Sequence, residues 1–229
     1  SDGAFHRLRD ESERHVHALL ESLAAATHEP GTEAQKVGDL YASFMDEERI
    51  EALDLDPIRA DLDAVDAVDS PAGLLHLVGV FADAGRSDHY AAYLAQGGLG
   101  LPDEAFYRED SFAPVREAYV AHIARMLTLA GTDETEAAAA ADRVMALETR
   151  LASHHWDNVR DRDANATYNP HERAELEALA PGVAWEAWLD GLGAPAGTLD
   201  RVIVREPSFV TALGEALHDV PLDDWKVWL

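Results

Sequence analysis

The sequence contains no cysteine. No disulfide framework can hold the fold, and no thiol can act as a nucleophile. Basic residues are scarce: 18 Lys and Arg stand against 44 Asp and Glu, a formal net charge of -26. That balance excludes nucleic acid as a partner, because phosphates demand a basic footprint. It argues against an anionic membrane surface on the same ground. The surplus acidity reads as a solvated, solubilising surface, since no Asp run has the spacing of a calcium loop. No stretch reaches the ~18 consecutive apolar residues of a membrane span. No signal-peptide pattern is visible and the first residue is not Met. Ser1-Asp2-Gly3 therefore reads as an internal start, which leaves open both a targeting segment upstream and the choice between a secreted and a cytoplasmic location.

What is present favours helix. The chain has 229 residues, 47% of them hydrophobic, and it leans on Ala, Leu, Glu and Asp with few β-branched runs. A chain of this length buries roughly 70% of its unfolded surface, enough for a real core. It suits one large domain or two intimate lobes.

Apolar spacing predicts a first helix from about Phe5 to Leu23, with Phe5, Leu8, Val16, Leu19, Leu20 and Leu23 on one face. After the break at Glu29-Pro30-Gly31, Thr32 and Gln35 form a capping-box signature. The second helix carries Val37, Leu40, Tyr41 and Phe44 as an expected buried stripe. Pro57 opens a third helix with Ile58, Leu62 and Val65. Ser70-Pro71 opens a fourth in which Leu74, Leu75, Val78 and Phe81 are expected to be buried.

Residues 82 to 102 differ. A short extended segment with Tyr90, Tyr93 and Leu94 leads into Gly97-Gly98-Leu99-Gly100-Leu101-Pro102, which cannot be helix interior and is expected to be an ordered loop. Helical pattern resumes at Pro102-Asp103-Glu104. Two long helices follow at about 111–130 and 133–155, separated by Gly131 as a stop. Tyr168-Asn169-Pro170 reads as a turn into a helix from Pro170 to Leu179. Trp185, Trp188 and Leu189 mark a short helix, Val202-Ile203-Val204 is the one convincing β triplet, and Pro207 and Leu222 open two more helices. The fold class is all-α, with a minor short β element.

Chemistry is sparse. His171-Glu172-Arg173-Ala174-Glu175 falls short of the zinc-protease pattern, with Glu175 where a second histidine is needed. Its place just after Pro170 favours a role in the first helical turn. His154 and His155 are adjacent, and His15 and His17 are two apart, so neither pair can chelate one ion from one helix face. No Gly-x-Ser-x-Gly elbow is present. Gly97-Gly98-x-Gly100 lacks the Lys-Ser/Thr of a phosphate loop and reads as a tight structural turn. The aromatic pairs Tyr90/Tyr93 and Trp185/Trp188 stand at helical spacing and read as core. No complete active site emerges.

Several segments nevertheless form an ordered set. Leu94-Ala95-Gln96-Gly97-Gly98-Leu99-Gly100-Leu101-Pro102-Asp103-Glu104 with Phe106-Tyr107 resembles a signature of the neprilysin and endothelin-converting-enzyme family. So do Tyr119 through Gly131, Val144-Met145-Ala146-Leu147-Glu148 with Leu151-Ala152, Arg162-Asp163 and Tyr168-Asn169. Phe5 through Arg9-Asp10-Glu11 is similar to the start of that family's large helical domain, and Pro221-Leu222 with Trp225-Lys226 and Leu229 to its exit. The resemblance implies that residues 1–229 are the helical lid of a two-lobed zinc metallopeptidase that hydrolyses peptides. The lid limits access to short peptides. The zinc, its ligands and the catalytic domain of the same polypeptide would then lie beyond Leu229, and this stretch alone would be inactive. The resemblance also implies that Arg9 approaches the peptide substrate, able to pair a C-terminal carboxylate bidentately. His6 stands beside it where the family has an acidic residue, and Ser1 falls where the family has an arginine. A solvated ion pair of Arg9 with Glu13 is the plainer alternative. A freestanding helical binding or scaffold protein is the alternative for the whole chain. The resemblance also implies a stretch missing between Gly79 and Arg86. Spacing makes Trp225, Trp228 and Leu229 of the final segment, Leu222 to Leu229, an apolar stripe cut as it forms, expected to pack back on the lid or on a neighbouring molecule.

Overall fold

The computed structural model describes residues 3–69 and 78–229. The chain divides into two compact units, one up to Ala60 and one from Asp61 to Leu229.

The first unit is built on a helical hairpin, α1 (Ala4–Ala25) and α2 (Glu33–Phe44), followed by α3 (Glu47–Leu53). The turn between the first two helices follows its sequence signals. Gly31 takes φ +85°, and the Thr32 hydroxyl accepts the Gln35 backbone N–H at 3.3 Å. The Gln35 side chain reaches back to the Gly31 N–H at 2.7 Å. Where the helices meet, Gly38 is buried: a Cβ there would stand 2.6 Å from the Leu23 carbonyl oxygen, so only glycine permits the approach. The expected burial of the α2 stripe does not hold. Val37 and Tyr41 are half-buried, but Leu40 and Phe44 are exposed. Phe5, Leu8, Val16 and Leu19 of α1 are exposed too. Periodicity fixed the face, but a two-helix hairpin has too little partner surface to cover it.

Asp56–Ile58 is a 3₁₀ turn holding Pro57, and α4 (Arg59–Asp66) follows. The fourth helix expected at Ser70-Pro71 falls largely at residues 70–77, outside the described residues. Its expected end is overturned, because Val78 and Phe81 lie in a strand.

The second unit wraps helices around a four-stranded sheet of order β1-β2-β4-β3. Strands β1 (Val78–Asp83) and β2 (Arg86–Leu94) form an antiparallel hairpin closed by Ala84-Gly85, so the stretch from Gly79 to Arg86 is strand and tight turn. Strand β4 (Arg201–Val204) pairs parallel to β2 and antiparallel to β3 (Asn169–Glu172). The helix expected from Pro170 therefore begins three residues later, as α8 (Arg173–Leu179). Pro170 is tolerated because β3 is an edge strand. Glu172 and Glu175 form the capping box that starts α8.

Strand alternation sorts the core. Ala92, Leu94, Val202 and Val204 face the main cluster, with Leu147 and Leu151 of α7 (Glu134–Ala152), Trp185, Trp188 and Leu189 of α9 (Trp185–Gly191), Phe209 and Leu213 of α10 (Pro207–Asp219) and Trp225 of α11 (Leu222–Trp228). Ala91, Tyr93 and Ile203 face the other way, toward Tyr168. Tyr90 and Tyr93 are consequently not one stripe: three apart on a strand, they point to opposite faces, and Tyr90 is 82% exposed. Trp225 is fully buried, with Trp228 edge-on to it at 5.7 Å, so the last helix does pack back on its own unit. The remaining helices are the single turn α5 (Ala105–Arg108) and α6 (Ala113–Leu129), which runs beside α7. Gly131 at φ +99° ends α6 as expected.

Candidate functional site

Arg9 and His6 sit three residues apart on α1, hence on one face, and both are exposed. The Arg9 guanidinium contacts Asp10 at 3.0 Å and Glu13 at 3.6 Å. The plainer reading of Arg9, an i,i+4 pair on a solvated face, is the geometry observed, and it leaves the side chain displayed to solvent. His171 lies in β3 with its Nδ1 2.9 Å from the Asn169 carbonyl, and Glu175 is used in the α8 cap. These two do not share a helix face. Among the described residues no group of three His, Asp or Glu converges where a metal could sit.

The polar residues the fold does bring together surround the glycine-rich loop. Gly98 takes φ +83°, and its position is hemmed by Leu151 and Trp228. Two residues on, the Gly100 N–H donates to the buried Glu148 at 3.2 Å. The same carboxylate accepts the Tyr107 hydroxyl at 2.5 Å and the Tyr119 hydroxyl at 3.0 Å, while the Leu101 N–H donates to the Tyr107 oxygen at 2.9 Å. Burial, reinforced by Glu148, pushes both phenols above their ordinary range. They stay protonated donors, and the loop is ordered because each of its turns is held by a partner.

The loop's first residues are stitched to two other elements. Gln96 exchanges hydrogen bonds with the Trp156 backbone, at 3.0 Å and 2.7 Å, and its own N–H donates to Glu206 at 2.7 Å. The His155 Nε2 lies 3.0 Å from the Gly97 carbonyl, and burial holds His155 below its usual range. Between this stitch and the β1–β2 hairpin lies an open cleft of about 640 Å³, bounded by Phe81, Tyr93, Gln96, Gly97, Gly98 and Arg205. At the far end of the sheet the buried Asp83 accepts from Tyr168 at 2.7 Å and Arg201 at 2.7 Å, which hold its carboxyl well below the carboxylate range.

Sequence reasoning gave no role to Glu148, Glu206 or Asp83, and Glu148 entered only within a family-resembling segment. One signal was available for Glu148: it stands four residues after Val144 and three before Leu151, a charge on the apolar stripe of α7.

The family model for the N-terminal region of peptidase family M13 matches residues 1–229. The chain belongs to peptidase family M13. Endothelin-converting enzyme 1 of Cavia porcellus is 24% identical over 253 residues, covering 99% of this chain and 33% of that protein. Neprilysin-3 of Drosophila melanogaster is 25% identical over 160 residues, covering 64% of this chain. Among solved structures, the Mycobacterium tuberculosis zinc metalloprotease Zmp1 in complex with an inhibitor superposes with a TM-score of 0.83 at 37% identity, over 99% of this chain and 37% of that one. PepO of Lactobacillus rhamnosis, at 20% identity and a TM-score of 0.69, shares the fold. The chain spans about a third of the length of the M13 relatives it matches.

Proposed function

We propose that this M13 chain is the substrate-gating lobe of a neprilysin-like zinc metallopeptidase that hydrolyses peptides. One observation carries the reading: the whole chain matches the N-terminal M13 region while covering only about a third of its relatives. The described residues do not fit a zinc ion, since His171 and Glu175 are tied up in a strand and a helix cap. The zinc of the full-length enzyme is assigned to residues outside this chain. The task left to this lobe is to admit and orient substrate. The displayed guanidinium of Arg9, with His6 one turn away, suits recognition of a peptide C-terminal carboxylate, because a planar fork matches a carboxylate bidentately. The exposed apolar residues of the first unit, Phe5 at 87% and Phe44 at 74% among them, suit burial against the rest of the polypeptide.

The test is a peptidase assay of the full-length protein with quenched peptides of graded length. Short peptides should be cleaved, folded proteins spared, and a chelator should abolish turnover, while residues 1–229 alone cleave nothing. Arg9→Ala should raise KM for a peptide with a free C-terminal carboxylate by roughly tenfold or more, the value of a charge-assisted hydrogen bond, and leave the amidated peptide unchanged. Equal effects on both peptides would remove Arg9 from the substrate site. Chelator-resistant cleavage would remove the zinc-peptidase reading itself.

A further inference from the structure

The sheet has two outer strands, β1 and β3, and they are finished differently. β3 is four residues long and carries Pro170, which leaves little of it able to pair further. β1 is six residues, Val-Gly-Val-Phe-Ala-Asp, with no proline and no basic residue. Its protection stands only at the turn end. The register shifts between Ala82 and Asp83, and Asp83 is a buried, inward charge. From Val78 to Ala82 the strand is paired on one side only, by β2, among the described residues. Alternate residues of that run aim backbone N–H and C=O away from the sheet.

The side chains at this edge decide what kind of partner fits. Val80 and Phe81 are consecutive and project to opposite faces, yet they are 64% and 61% exposed. An apolar side chain is therefore displayed on each face at the same height. A helix or a flat surface would cover one face, whereas an added strand flanks both. The Phe81 ring lies over Gly79, where any side chain would collide with it, and stands edge-on to Tyr93 at 5.9 Å. It walls the cleft of about 640 Å³ that opens toward the glycine-rich loop. Charge narrows the partner further. Arg205, the cation lining that cleft, is held by Asp161 at 2.9 Å and by Glu206 at 3.2 Å. It has no charge to spare for an acidic ligand. The net charge of -26 repels acidic chains, a second copy of this one included, and draws basic ones.

We propose that Val78–Ala82 of β1, with the cleft beside Phe81, is a docking edge for an extended peptide segment that joins the sheet as a fifth strand. The segment carries apolar side chains at alternate positions, basic ones between them, and no acids. Its backbone supplies the hydrogen bonds that the outer side of β1 leaves open, which gives affinity with little demand on sequence. Its apolar side chains pack beside Phe81 and reach the cleft. The site is independent of the gating reading, since binding here needs neither the zinc nor Arg9.

Fluorescence anisotropy on the full-length protein, with a chelator present to stop turnover, tests the docking edge. The probe is fluorescein-labelled Val-Lys-Val-Lys-Val amide, which offers Arg9 no carboxylate. It should bind, and Val-Glu-Val-Glu-Val amide should bind at least about tenfold more weakly. N-methylation of one alternate set of its peptide nitrogens should abolish binding, because that set faces β1, while methylation of the other set is tolerated. Phe81→Lys puts a cation on the edge and should weaken the probe about tenfold or more. Should that variant fail to fold, Val80→Lys on the opposite face makes the same prediction. Tyr90→Ala removes another exposed aromatic of the hairpin and should change nothing. No binding up to about 1 mM, an acidic peptide that binds as well, equal tolerance of both methylated sets, or an equal loss in Tyr90→Ala would overturn the proposal. So would binding that ignores Phe81→Lys and falls with Arg9→Ala, which belongs to the gating site. A dimer that Phe81→Lys dissolves would give the edge to a second copy and overturn it too.

Discussion

The glycine-rich loop offers the sharpest test of how this lobe is held together. Gly100 has no positive φ, so an alanine there meets no backbone penalty, and the whole cost must come from contacts. Its Cβ would stand 2.6 Å from Tyr119 Cζ, even closer to the Tyr119 hydroxyl, and 3.3 Å from a Glu148 oxygen. A flexible side chain would swing aside. Tyr119 cannot do so freely, because its hydroxyl is one of three donors to the buried Glu148. Gly100→Ala should therefore cost about 1–3 kcal/mol for overpacking. Displacing Tyr119 from a charged acceptor adds about 1.5–3 kcal/mol. The expected loss is about 2.5–6 kcal/mol, read as a shift of the urea midpoint with m unchanged. Adding Tyr119→Ala should make the Gly100→Ala step nearly neutral, since the obstructing ring is gone. Gly191→Ala is the control: its Cβ would meet nothing within 4 Å, and it should be neutral or slightly stabilising. If Gly100→Ala melts within about 1 kcal/mol of wild type, the Glu148 cluster is not a rigid anchor and the account of the loop fails.

Asp83 is held below the carboxylate range by Tyr168 and then Arg201, so its contribution is present above the ordinary aspartate value and disappears as pH falls below it. Asp83→Asn should flatten the acid limb of a stability–pH curve below about pH 4 and weaken the protein at pH 7; an unchanged acid limb would mean Asp83 does not carry it. Trp225→Ala removes a fully buried indole from the main cluster and should cost about 3–5 kcal/mol by thermal or urea unfolding. A loss under about 1 kcal/mol would show α11 to be only loosely docked.

Local signals were read correctly wherever one segment decides its own structure. The Thr32–Gln35 cap, the Gly131 stop and the Trp185–Trp188 face all hold, and the Gly97–Pro102 loop lies outside any helix. The errors lie where a distant partner decides. Val78 and Phe81 continue the three-and-four spacing of Leu74 and Leu75, which imitates a helix, but pairing with β2 makes them a strand. Pro170 to Glu172 is too short for a period-2 pattern to show, and it is β4, some thirty residues away, that makes it β3. Arg9 and His6 were singled out by the family resemblance alone; what local spacing gave was the helix that carries them. The Asp161–Arg205 pair and the Asp83–Tyr168–Arg201 cluster join residues 33 to 118 positions apart, and no spacing rule reaches that far.

A chain with so large an acidic excess would seem the last to bury carboxylates, yet the described residues contain three buried acids, Asp83, Glu148 and Glu206. Each is tolerated for a different physical reason. Asp83 has cations, with Arg201 at 2.7 Å and Arg86 at 3.4 Å. Glu148 has only neutral donors, two phenols and one peptide N–H. Glu206 has one cation, Arg205 at 3.2 Å, and one peptide N–H, that of Gln96 at 2.7 Å. The three solutions respond to different variables. Salt weakens the partly exposed Arg86 and Arg201 pairs and leaves buried neutral donors nearly untouched. Near-neutral pH acts on Glu206, whose carboxyl is raised to about 7 by its burial. Raising salt at fixed pH should thus loosen the β1–β2 hairpin before the glycine-rich loop, and raising pH at fixed salt should loosen the Gln96–Glu206 junction before either. Hydrogen exchange of the three segments under the two perturbations separates them, and a single common order under both would mean that the three carboxylates are not independent supports.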